Sequence, residues 1–146
     1  MLSIRIICVG KYKEQFYADA AGEYIKRLHG YCKLEVVELP ESHSPPRDAI
    51  LKKIPAGAKI IALCVEGREY DSQGLSDLLM DFAGSGASRL CFIVGGSLGL
   101  HEDLKSAADI KLSMSKMTFP HNLARVMLLE QLYRAFTIAE GGKYHK

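Results

Sequence analysis

SMSKMTFPHNLARVMLLEQLYRAF, Ser113–Phe136, joins a short loop carrying Met, Thr, Phe and Pro to a long helix that is apolar over most of its circumference. Pro120 suits the first turn of a helix, where its missing N–H costs nothing, and Thr118 is placed to help cap that start. No breaker follows before Glu140. At 100° per residue Ala124, Leu128, Leu132, Ala135 and Ala139 form one apolar face, and Val126, Leu129, Tyr133 and Phe136 widen it. Arg125, Glu130, Arg134 and Thr137 are left with a narrow polar strip. Such a helix is buried on two sides. It is either sunk in its own domain or, the reading preferred in so short a chain, shared with a second copy in a homodimer.

Working outward from that helix, the pattern alternates. LSIRIICVG reads as a strand ending at Gly10, and Phe16, Tyr17, Ala20, Ala21, Tyr24, Ile25 and Leu28 recur at helical spacing after it. CKLEVVELP is a second strand stopped by Pro40. ESHSPPR is turn chemistry that opens a short helix, RDAILKKI. AKIIALCV is a strand too uniformly apolar to be half exposed. DSQGLSDLLMDFAGSG is a helix with an Asp or Ser cap, SRLCFIVGG another buried strand, LGLHEDLKSAA a short helix, and DIKLSMS a last strand. Alternating strands and helices predict an α/β fold, a mostly parallel sheet with helices on both faces. No repeat or linker divides the chain, so residues 1–146 form one domain with a short tail, 141–146.

Composition narrows the function classes. With 48% hydrophobic and 25% charged residues, disordered and fibrous classes are set aside. The formal charge of +2 gives no whole-protein field that would announce nucleic acid. The apolar amino terminus is interrupted by Arg5 and has no basic flank, so neither a signal peptide nor a membrane span is expected, and the cytoplasm is the default compartment. Cys8, Cys32, Cys64 and Cys91 form no CxxC pair and read as reduced thiols serving as small core hydrophobes. His29, His43, His101 and His121 are equally scattered, and no metal site is expected.

Ligands of open α/β sheets settle beyond the carboxyl ends of the strands. Three segments converge there: Leu63 and Gly67 at the end of one strand, FIVGGSLG with Gly95, Gly96 and Gly99, and the loop after DIKLSMS. Paired glycines let the backbone approach a ligand and expose its N–H groups. The pattern departs from GxGxxG and lies late in the chain, and no GxxxxGK[ST] occurs, so a dinucleotide site, a flavodoxin-like site and a P-loop are disfavoured. The loop Met114–Phe119 offers backbone groups, two Met side chains and an aromatic ring. It suits a flat, partly apolar ligand such as an adenine base with a sulfur-bearing tail. It suits a phosphate poorly, because Lys116 is its one cation.

The chain ends EGGKYHK, where Gly141 and Gly142 close the helix and a basic tail carrying Tyr144 and His145 projects beyond it. FIVGGSLGL, LSMSKMTFPHNLARVMLLEQLYRAF and the final YHK together resemble the RlmH family, the YbeA-type SPOUT RNA methyltransferases. VGKYKEQFY and EGREYDSQGL match in place, so the resemblance spans the whole chain. Lys143 departs from it, since family tails commonly carry Pro before the Tyr-His pair.

The resemblance implies a small cytoplasmic homodimer with a SPOUT-type fold and a carboxyl-terminal trefoil knot. It implies transfer of a methyl group from S-adenosyl-L-methionine to N3 of a pseudouridine in 23S ribosomal RNA of the large subunit, acting on the ribosome. By matching positions the cofactor would touch Leu63, Gly95, Met114, Ser115, Lys116, Met117, Thr118 and Phe119, and the tail would supply Tyr144 and His145, across the subunit interface if need be. His145 is the candidate general base, because an imide N3 is a poor nucleophile until its proton leaves. Tyr144 is the stacking or orienting group, and Arg125 or Arg134 would stabilise the developing anion or grip phosphate. Arg125 also has a purely structural reading, as the partner of a carboxylate such as Glu130 or Glu140. The competing function is a ribosome- or RNA-binding module without catalysis.

Overall fold

The computed structural model describes residues 1–42, 44 and 46–146. His43 and Pro45, within the expected ESHSPPR turn, lie outside the described residues. The elements are β1 (Ser3–Val9), α1 (Gln15–Leu28), β2 (Lys33–Leu39), α2 (Asp48–Lys53), β3 (Lys59–Glu69), α3 (Ser72–Gly84), β4 (Arg89–Val94), α4 (Glu102–Ala107), β5 (Ile110–Ser113) and α5 (His121–Ala139). The five strands form one sheet in the order β2-β1-β4-β3-β5, and every pairing is parallel.

Both faces of the sheet are covered, as alternating βα units require. One face presents Ile4, Ile6, Leu90 and Phe92 to α1, α3 and α5. The other presents Ile7, Val9, Cys91 and Ile93 to the short α2 and α4, through Ile50 and Leu104. Three of the cysteines, Cys8, Cys32 and Cys91, are buried; Cys64 is half-buried, and all four are free thiols.

The two-sided burial of α5 has its partners within this chain. One flank meets α3, where Ser72 Oγ donates to Gln131 Oε1 and Ser76 Oγ to the Ala135 carbonyl, each at 2.7 Å. The other flank meets α1 and the turn after it through an aromatic cluster in which Tyr24 of α1 faces Tyr133 at 6.4 Å and Tyr31 stacks on Phe136 at 5.8 Å between ring centroids. Arg125 and Thr137 do not lie on a solvated strip; they are 2% and 4% exposed. The helix also begins one residue later than expected. Pro120 is its cap, its carbonyl accepting from Ala124 N, and no side chain caps the end, Thr118 included.

β3 is the other departure. It pairs with β5 through Leu63↔Leu112, leaves the ladder, and rejoins it at Arg68↔Leu112. The return passes so close to β5 that a Cβ on Gly67 would stand 2.6 Å from the Lys111 carbonyl oxygen, which only glycine tolerates. The strand expected to be buried throughout therefore bulges outward, with Val65 48% exposed.

Candidate functional site: a cleft at the carboxyl ends of the strands

A cavity of about 520 Å³ opens where β3, β4 and β5 end, within the size range of small-molecule sites. Its walls come from the bulged part of β3, the glycine loop after β4, the loop after β5 and the first turn of α5. Of the residues expected to touch a cofactor, Leu63, Gly95, Met114, Ser115, Met117, Thr118 and Phe119 line it. Lys116 does not; it is exposed. Sequence reading missed Glu66, Lys105 and His121, which also face the cavity. Nothing in their spacing announces a site, because three separate elements bring them together.

Each wall has a local cause. After β4 the chain reverses through a Gly96–Gly99 bridge, with the Gly99 N–H donating to the Gly96 carbonyl at 3.0 Å. A Cβ on Gly95 would sit 2.7 Å from the Gly99 carbonyl, so this turn closes only with glycine. After β5, Ser113 Oγ donates to the Ser115 carbonyl at 3.0 Å, and Ser115 Oγ accepts from Met117 N at 3.0 Å. These bonds hold the Met114–Phe119 loop in place while Met117 stays 74% exposed at the mouth. The lining is chiefly apolar side chains and bare backbone, with Lys105 the sole permanent cation among its described residues. Such a lining suits a flat, partly apolar ligand better than a polyphosphate.

The groups expected to handle a substrate lie elsewhere. The tail does not project from α5; it folds back along it. Gly142 and Gly141 end the helix by donating to the carbonyls of Thr137 and Ile138 at 2.8 and 3.1 Å, a Schellman closure that reverses the chain. Tyr144 then packs edge-on against Tyr133 at 4.8 Å and donates to Glu130 Oε2 at 2.7 Å. Arg134 pairs with Glu130 at 2.5 Å, lies over the Tyr144 ring at 4.7 Å, and stands 3.1 Å from His145 Nδ1. Burial pushes the Glu130 carboxyl up, but the hydrogen bonds from Arg134 and Tyr144 outweigh it and hold the carboxyl below its usual range. The Tyr144 phenol is raised by its own burial and by the Glu130 bond, so it remains a donor. Lys143 does not prevent this docking.

Arg125 is in neither cluster. Its Nη2 pairs with Glu38 Oε2 at 2.6 Å, its Nη1 donates to the Gly10 carbonyl at 3.0 Å, and its guanidinium stacks on Tyr12 at 3.9 Å. It ties α5 to the ends of β1 and β2. Its carboxylate partner is Glu38, not Glu130 or Glu140.

A family model described as "Predicted SPOUT methyltransferase" matches residues 2–145. The chain belongs to the SPOUT methyltransferases. Within that family it is 45% identical to a ribosomal RNA large subunit methyltransferase H of Clostridium botulinum, covering 99% of this chain and 100% of that one. It is 42% identical to the protein of the same name from Bacillus pumilus, with the same coverage. These full-length matches make this SPOUT chain a member of the RlmH family. Solved structures share the fold at much lower identity. A probable methylase family protein from Haemophilus influenzae superposes with a TM-score of 0.62 at 13% identity, covering 100% of this chain and 72% of that one. A probable methyltransferase from Bordetella pertussis gives 0.59 at 12%, covering 92% of this chain and 96% of that one. Among the described residues no helix is long and apolar enough to cross a membrane, and no cluster of His, Cys, Asp and Glu is placed to hold a metal ion.

Proposed function

We propose that this RlmH-family chain is an S-adenosyl-L-methionine-dependent methyltransferase acting on N3 of a pseudouridine in 23S ribosomal RNA, with the assembled ribosome as substrate. The observation that carries this reading is the cavity at the strand ends, whose walls are the segments that resemble the family. Leu63, Gly95, Met114, Ser115, Met117, Thr118 and Phe119 would hold the cofactor, with Lys116 at the edge of the same loop. When bound, it supplies an electrophilic methyl group on a sulfonium centre.

The chain's own residues must orient the base and remove a proton. The N3–H of a pseudouridine has to be deprotonated before its lone pair can attack. His145 takes that proton, and the Arg134 guanidinium beside it stabilises the imide anion. Tyr144, held by Glu130, positions the tail and presents a ring edge to the base. Arg125 braces the fold around the site from behind. Ala124 at the cavity and Arg134 at the tail lie roughly 15 Å apart along α5, so with its tail docked one chain does not bring both to one methyl group. We infer a homodimer in which the tail of one copy completes the cavity of the other, in the cytoplasm, with the knotted carboxyl-terminal half of the family. A modest +2 charge supports recognition by RNA shape within the ribosome rather than by a strong positive field.

The test is transfer of labelled methyl from S-adenosylmethionine to ribosomes lacking the modification, with stripped RNA as control. Label mapping to N3 of a pseudouridine is expected on ribosomes. A folded protein that binds ribosomes yet labels neither substrate would replace this reading with a non-catalytic binding module.

A further inference from the structure

One wall of the cavity is charged, and neither the glycine loop nor the Met-rich loop explains it. Glu66 stands on the bulged part of β3 and Lys105 on α4, and both line the cavity. Lys105 Nζ donates to Glu66 Oε1 at 2.7 Å and lies 3.5 Å from Glu102, a largely solvated neighbour outside the lining. The hydrogen bond to Glu66 raises the Lys105 ammonium and lowers the Glu66 carboxyl, so both are charged at neutral pH. Among the described lining residues Glu66 is the sole carboxylate and Lys105 the sole permanent cation. Apolar groups, Leu63, Leu100 and Phe119 among them, make up much of the rest of the wall.

An ion pair on an apolar wall has no net charge but a strong local dipole. A lone anion meets Lys105 together with the repelling Glu66, and a lone cation meets the reverse. The ligand end that satisfies both is a zwitterion, an ammonium and a carboxylate one carbon apart. A lysine ammonium carries three donors and a carboxylate roughly four acceptor sites, so each can keep its present bond and accept another partner. We propose that the Glu66–Lys105 pair is the subsite for the zwitterionic α-amino-acid head of the methyl donor, Lys105 facing its carboxylate and Glu66 its ammonium. This rests on reading the cavity as a methyl-donor site. The adenosine end then takes the apolar slot between the two loops.

The proposal separates the two ends of one ligand, so truncated ligands test it. Calorimetric titration of the full chain uses S-adenosylmethionine, S-adenosylhomocysteine and 5′-methylthioadenosine, which keeps the ribose and base but has no amino-acid head. In the double variant Glu66→Gln, Lys105→Gln, the two head-bearing ligands are expected to weaken about tenfold, a typical loss for charge-assisted contacts at a half-exposed rim. Methylthioadenosine should hold its affinity within about twofold, which also certifies a folded cavity. Unchanged affinity for all three would overturn the proposal. So would equal weakening of all three, which would assign Glu66 to the ribose or the pair to the cavity framework. Failure of the unsubstituted protein to bind any of them would instead remove the methyl-donor reading itself.

Discussion

The two ends of α5 are built from different materials. At its amino end the helix meets a preformed cavity whose walls are bare backbone, a glycine (Gly95) that cannot be replaced without collision, and apolar side chains. At its carboxyl end a six-residue tail is held by one carboxylate, one guanidinium and aromatic edges. The first is a rigid receptor, because its shape is fixed by strand pairing and close backbone approach. The second is a latch, because each of its bonds joins partly exposed side chains and can be exchanged for another partner. On the proposed function, the methyl donor would need the former and a movable acid–base group the latter. One helix carries both, roughly 15 Å apart.

Damage to the rigid end should therefore be severe. Gly95→Val places a branched side chain where a single Cβ already lies 2.7 Å from the Gly99 carbonyl. Donor binding by calorimetry is expected to fall by about 100-fold or more, the scale of an overpacked site that cannot relax. Normal binding would mean the glycine turn is not a wall of the site. Between the two ends, Arg125→Met leaves Glu38 without its partner and removes the brace on Gly10 and Tyr12. Because the guanidinium is buried but Glu38 is about one-third exposed, the loss should be about 3 kcal/mol, the lower end for a broken buried pair, read from denaturant unfolding. Donor affinity in the folded fraction should barely change; a large loss would move Arg125 into the site.

At the latch the effects on structure should be smaller. Tyr144→Phe deletes the bond to Glu130 but keeps the ring against Tyr133. Tail docking should weaken by about 1–2 kcal/mol, seen as faster carboxypeptidase trimming, with the melting midpoint of the domain unmoved. The pH dependence of the latch has two signs. The lowered Glu130 carboxyl contributes docking that is complete above the usual carboxylate range and is lost as pH falls through its folded value. The raised Tyr144 phenol contributes docking that is complete below the usual phenol range and is lost as pH rises through its folded value. Tail protection measured by the same trimming should be flat from about pH 5 to about pH 9. A midpoint inside that window would mean that Glu130 and Tyr144 do not hold the tail.

Much of the architecture was legible because it rests on local chemistry. Apolar runs of strand length alternating with helical spacing predicted the parallel sheet and both helical layers, and Asp71 capping Gly74 N at 2.7 Å follows from the DSQG stretch. The cavity loops were legible because glycines, prolines and paired methionines are costly to place without a purpose. What could not be read are contacts between residues distant in the chain. Periodicity puts Arg125 opposite an apolar face but cannot say that Glu38, far away in sequence, waits beneath it. The width of the apolar arc on α5 shows two-sided burial, yet not that α1 and α3 supply both sides. The β3 bulge was missed because Leu63–Val65 reads as core whether it faces a helix or an empty cleft. The fold-back of the tail depends on Glu130 and Arg134, which look like an ordinary helical ion pair.

The central claim is that the two ends of α5 meet only between copies, and subunit complementation tests it most directly. Gly95→Val and His145→Ala are each expected to be inactive in methyl transfer to ribosomes. If each site joins one copy's cavity to the other's tail, mixing the two under exchange should restore about a quarter of the unsubstituted rate, since half the dimers are mixed and each holds one intact site. No recovery above the separate variants, in a mixture shown to have exchanged subunits, would mean that cavity and tail serve each other within one chain, and the composite site would be wrong.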